Sequence, residues 1–126
     1  MIARPWLLVA AINGFLSVAA GAFAAHGLEG HIDSRALSAF ETGARYQMVH
    51  ALAIGLASLA FCDAKMTAAQ FACALFLAGI ILFPGSLYAL ALTGVHGFGF
   101  VTPVGGLALL AGWAALGWSA MKPEPR

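Results

Sequence analysis

Hydrogen-bonding side chains are scarce in this chain, and seven of them fall at spacings that could do chemistry. They are His26, Tyr46, Gln47, His50, Ser86, Tyr88 and Thr102. Tyr46 and His50 are four residues apart and so share a helix face, with Gln47 three before His50. Such groups, held at one depth in a membrane, can serve three ends. They can bond one another and nearby carbonyls, fastening the helices together. They can form a site for a small molecule, a proton or a lipid headgroup. Alternatively, His26 and His50 can hold a metal or haem, although closed structural metal sites usually take four ligands. The seven are read as a candidate binding cluster, with no metal and no cofactor expected. His31 and His96 are expected in loops, open to solvent.

Enzyme signatures are missing: GxSxG, HExxH and Walker A do not occur. All five acids (Glu29, Asp33, Glu41, Asp63 and Glu124) are placed in loops or interfacial segments. No titrating carboxylate pair is therefore expected inside a membrane, and no catalysis. The formal net charge is +1 and no basic block exists, which excludes nucleic acid as a partner. Cys62 and Cys73 are read as small buried hydrophobes on the cytoplasmic side, not as a disulfide.

The elements that must position these residues follow from composition. Of 126 residues, 62% are hydrophobic and 9% charged, with mean hydropathy +0.92. A soluble domain carries roughly 25% charged residues, so these apolar surfaces must face lipid. The expected fold is all-α, a single domain over residues 1–126. It is an integral membrane bundle of four transmembrane helices, spanning about 6–25, 44–61, 68–92 and 104–121. An interfacial amphipathic helix over about 34–43 should lie between the first and second spans. Trp6 to Ala25 gives 20 residues with Asn13 and Ser17 as its polar positions, about the length a span needs. The Ala22-Phe23-Ala24 stretch mimics a signal cleavage site, but the apolar run is long for a signal core, so the span is retained. Asp33 or Ser34 can cap the amphipathic segment, Glu41 and Arg45 can pair across one turn, and Gly43 offers a bend. Pro84 should kink the third span, and Thr102-Pro103 should cap and open the fourth. Gly27 is a plausible stop for the first helix.

Small residues four apart, Ala10/Gly14, Ser17/Gly21, Ala51/Gly55 and Ala108/Gly112, allow close helix approach. Orientation follows from Lys and Arg. Arg4, Lys65, Lys122 and Arg126 share one side of a four-span chain, against Arg35 and Arg45 on the other. Four against two puts both termini in the cytoplasm and the seven polar residues in the outer part of the bilayer.

Those polar positions also carry a family resemblance. Gly21 to Leu28 (GAFAAHGL), Arg45 to Leu52 (RYQMVHAL), Pro84 to Tyr88 (PGSLY), Thr102 to Gly106 (TPVGG) and the later Gly112-Trp113 are the stretches concerned. They resemble, in order and over nearly the whole chain, the family called domain of unknown function 423. The family's usual first block resembles GAFGAHGL, so Ala24 departs from it. The resemblance implies a multi-pass protein of the bacterial inner (plasma) membrane and brings no activity, cofactor or substrate. Membrane lipids, a second copy or another membrane protein are the expected partners. The leading expectation is a non-catalytic accessory, assembly or oligomeric membrane component. The alternative is binding or transport of a small molecule, ion or lipid through the polar cluster.

Overall fold

A computed structural model describes residues 4–60 and 68–121, and among them every regular element is helical. Helix α1 (Pro5–Phe23) begins with a proline in its first turn, where the missing N–H has no helical partner to lose. It runs on into a π-helical turn, Ala24–Leu28. Helix α2 (Ser34–Ala60) is capped by Asp33, whose carboxylate accepts the Ala36 N–H at 2.7 Å. Helices α3 (Ala68–Leu82) and α4 (Pro84–Thr93) form one rod broken at Phe83. Pro84 causes the break, because it offers no N–H and its ring crowds the preceding turn. Gly94 ends α4 in the left-handed conformation, φ 70°. A short 3-10 turn, His96–Phe100, leads to α5 (Thr102–Met121).

Among the described residues, three stretches are long and apolar enough to cross a membrane: Pro5–Leu28, Ala68–Thr93 and His96–Met121. They cover the expected spans 6–25, 68–92 and 104–121; the first two are slightly longer, and the last begins eight residues earlier, at the 3-10 turn. The fourth, 44–61, belongs to α2 and is not among the three. Its length suffices, but Arg45, Gln47 and His50 lower its hydropathy. Residue 61, Cys62, the Asp63–Lys65 turn, Lys122, Glu124 and Arg126 lie outside the described residues.

Burial is inverted relative to a water-soluble fold. Phe15, Val18, Leu52, Leu56, Leu107 and Leu110 are exposed, while Asn13, Ser17, Gln47, His50 and Ser86 are buried. Lipid-facing apolar surface and inward polar groups are what a hydrocarbon solvent selects. The main core gathers Ala10, Ala53, Ile54, Ala57, Cys73, Phe76 and Leu109. A second cluster, Ala24, Leu28, Phe40 and Ala91, closes the end where α1 finishes and α2 starts. Ala24 is 1% exposed there, so the family's glycine-to-alanine departure fills space in this cluster. Cys73 is a free thiol, fully buried, its Sγ 3.7 Å from the Ile54 carbonyl.

Helix α2 is the hub, packed on α1, α3 and α4, whereas α5 lies mainly on α3. Small residues set these approaches. A Cβ added at Gly105 would run into the Phe83 backbone, one at Gly79 into Leu109, and one at Gly112 into the Phe76 ring at 2.6 Å. Gly55 faces Ala10.

Four local expectations are corrected. No bend occurs at Gly43: α2 runs unbroken through it, and residues 34–43 are its first turns, not a separate helix. Glycine serves there as space, since an added Cβ would sit 2.9 Å from the Tyr88 ring. The chain turns at Gly30, φ 83°, and not at Gly27. Gly14 and Gly21 face open space and mediate no packing in this chain. Among the described residues Glu41 and Arg45 form no ion pair, in keeping with the small worth of exposed pairs.

Candidate functional site

The polar residues resolve into three sets, two of them built on α2. The first is a relay across three helices. Asn13 on α1 donates through Nδ2 to the Val9 carbonyl at 3.0 Å. Its Oδ1 accepts from Gln47 Nε2 at 3.1 Å, and Gln47 Oε1 accepts from the Tyr88 hydroxyl on α4 at 2.8 Å. Gly43, one turn before Gln47, leaves room for the Tyr88 ring, which also lies 4.7 Å from the Phe40 ring, centroid to centroid. One helical turn after Asn13, Ser17 donates to the Gly14 carbonyl at 2.8 Å and lies 3.6 Å from Met48 Sδ. These bonds tie α1, α2 and α4 where no hydrophobic effect drives helices together.

The second set centres on His50. Trp113 on α5 donates its indole Nε1–H to His50 Nε2 at 3.0 Å. An indole can only donate, so Nε2 must accept and the ring is neutral with its hydrogen on Nδ1. Nδ1 then donates to the Tyr46 carbonyl one turn earlier, at 2.7 Å. Phe76 of α3 completes an aromatic corner, 5.7 Å from His50 and 5.1 Å from Trp113 by ring centroids. The Tyr46 ring lies nearly parallel to the imidazole, at 11°, and touches Phe83 at the helix break.

The third set joins α4 to α5. Ser86 Oγ and Thr102 Oγ1 are 2.6 Å apart. Ser86 also donates to the Phe83 carbonyl at 2.8 Å, which accepts the Leu87 N–H as well, at 3.1 Å. The Thr102 hydroxyl lies 3.4 Å from the Phe98 carbonyl. Thr102 therefore clasps α4 and the 3-10 turn, whereas a capping bond to its own helix was expected from sequence.

The expected cluster is thus brought together in part. Gln47 joins Tyr88, Tyr46 joins His50, and Ser86 joins Thr102. His26 stays apart, exposed on the π-helical turn and a member of none of these hydrogen bonds. No group of three or more potential metal ligands occurs among the described residues. No buried side-chain nitrogen or oxygen among them lacks a partner. His31 and His96 are exposed. Two contributors escaped the sequence reading of the site. Asn13, one of the two polar positions of the first span, is the α1 end of the relay. Trp113 was read only as part of a family motif, and its mid-span position, far from an interfacial belt, was the available signal.

Between α2 and α5, which do not pack closely on each other, lies an open groove of about 880 Å³. Tyr46, Val49 and His50 line one wall, Leu107, Leu110 and Trp113 the other, and Phe83 the floor. Arg45 and Pro103 stand at one end. Of the seven expected residues, this space receives Tyr46 and His50.

Comparison with known proteins gives one consistent answer. Residues 20–106 match the family model described as Protein of unknown function (DUF423). The chain is 42% identical over 120 residues to a UPF0382 membrane protein of Haemophilus influenzae, covering 94% of this chain and 95% of that one. It is 42% identical over 122 residues to the UPF0382 membrane protein YwdK of Bacillus subtilis, covering 94% and 98%. It is 44% identical over 117 residues to the UPF0382 inner membrane protein YgdD of Escherichia coli K12, covering 92% and 88%. No solved structure matches the chain.

Proposed function

The chain belongs to the DUF423 family of membrane proteins, and from that premise we propose that it is a multi-pass inner-membrane component that works without catalysis, by assembly in the bilayer. One observation carries this reading: the buried polar groups are committed to bonds inside the bundle. Both His50 nitrogens are engaged, and both Gln47 amide atoms are engaged. A general base needs a free acceptor near a reacting proton, and these residues offer none in this arrangement. Their role is to lock helices whose outer faces stay apolar and available to lipid or another membrane protein.

In this reading α2 crosses as the second of four spans, through the expected 44–61 stretch. Its first turns, with Arg35, Glu41 and Arg45, stay at the interface. Both termini face the cytoplasm, in line with four basic residues against two. The test is native mass spectrometry after extraction in mild detergent, with in-membrane crosslinking beforehand. The expected result is a defined homo-oligomer or a stoichiometric complex. A particle that is strictly monomeric by both methods would overturn the assembly role.

A second reading, binding of a small molecule, ion or lipid at the outer face, draws support from the groove between α2 and α5. Its volume falls in the range of ligand pockets, roughly 300–1,000 Å³, and it exposes Tyr46 and Trp113 along an apolar wall.

A further inference from the structure

Resting on that second reading, we propose that the α2–α5 groove binds an anionic phospholipid, the phosphate pairing with Arg45 and one acyl chain lying along Leu107 and Leu110. Three features meet there. The walls are overwhelmingly apolar, with Leu107 and Leu110 two-thirds exposed. Arg45 stands at one end of the groove, exposed, with no carboxylate bonded to it. That end is also where the polar first turns of α2 and the start of α5 lie, so it is the end nearest the membrane surface whichever way the protein is inserted. A guanidinium at the surface above an apolar slot matches the two chemistries of a phospholipid in their order along the bilayer normal. Guanidinium also suits phosphate by its planar, paired donors. A zwitterionic lipid brings its own cation beside the phosphate and gains less from Arg45. Glu41, one turn before Arg45 and exposed, is the nearest opposing charge along the helix and weakens the site.

Trp113 lines the groove and reports on its contents. The chain has three tryptophans, so a Trp6→Phe/Trp118→Phe variant leaves Trp113 as the single indole. This protein is placed in vesicles of phosphatidylcholine containing brominated-chain phosphatidylglycerol, or brominated-chain phosphatidylcholine at the same fraction. We expect the anionic lipid to quench Trp113 with about fivefold higher relative affinity, the worth of one basic residue near an anionic surface. Arg45→Gln should bring the ratio to one and Arg45→Lys should keep most of it. Glu41→Gln, which leaves Arg45 intact, should raise it. Equal quenching by both lipids in the parent protein would overturn the anionic assignment while leaving a lipid-filled groove. An indole that neither lipid quenches would mean that the groove is closed to lipid, and would sink the second reading as well. A preference that survives Arg45→Gln, or ignores Glu41→Gln, would overturn the role of Arg45.

Discussion

Replacing Gln47 by leucine removes one side chain and strands two others. Asn13 Oδ1 loses its donor and the Tyr88 hydroxyl its acceptor. Two bonds and two unsatisfied buried groups make a loss of about 1–2 kcal/mol reasonable, since interhelical bonds in lipid are individually modest. Tyr88→Phe should cost about half as much, because it breaks one bond and keeps the ring against Phe40. Reversible unfolding in mixed micelles measures both; a Gln47→Leu protein as stable as the parent would deny the relay any structural weight. At this scale the sequence was half legible. Polar residues in an apolar chain announce themselves, and six of the seven expected residues take part in the three sets, with His26 apart from them. Their pairing was not legible, because His50 meets Trp113 only through the way α5 lies on α3, and nothing local to either residue encodes that. Gly43 shows the same limit. Glycine before a span reads as a bend, yet its hydrogen sits under the Tyr88 ring, a neighbour 45 residues on.

Between elements, glycines decide how close two rods come, and they are not equivalent. At Gly105 the obstacle to a side chain is the backbone of Phe83, which cannot turn aside. At Gly14 nothing lies within 4 Å. Gly105→Ala should therefore push α5 away from the α3–α4 break and lower stability by about 1–3 kcal/mol, as overpacking does. Gly14→Ala should leave stability equal or higher, since alanine is the better helix former. Melting midpoints in one detergent compare the two, and equal midpoints would remove the close-approach argument. The small pairs read from sequence identified a device without identifying its users. Ala10 with Gly55, and Gly112, are packed, while Gly14 and Gly21 are not, because spacing says which residues share a face and not which face meets a neighbour. The rod α3–α4 was fully legible: proline's chemistry is local, so its consequence is too.

For the whole molecule, the proposed topology makes a prediction independent of any ligand. With both termini inside, alkaline phosphatase fused after residue 121 should be inactive and a fluorescent protein there bright. Phosphatase inserted between residues 94 and 101, in the loop before α5, should be active. Activity at the C-terminus would reverse the orientation and with it the outer placement of the polar sets. Composition alone carried the membrane assignment, because 9% charged residues cannot cover a soluble surface. Which helix sits at the centre was hidden, since the least apolar one holds that place. That position bears on biogenesis. Helix α2 leaves the ribosome after Asn13, which takes the Gln47 amide N–H, but before Tyr88 and Trp113, which complete the bonding of Gln47 and His50. In the proposed four-span topology, a nascent chain ending at residue 60 would present those groups to hydrocarbon with α1 alone beside them. The insertion machinery should thus hold α2 at its lateral exit until α3, α4 and α5 emerge, and the protein should enter the bilayer as a group of helices and not one by one.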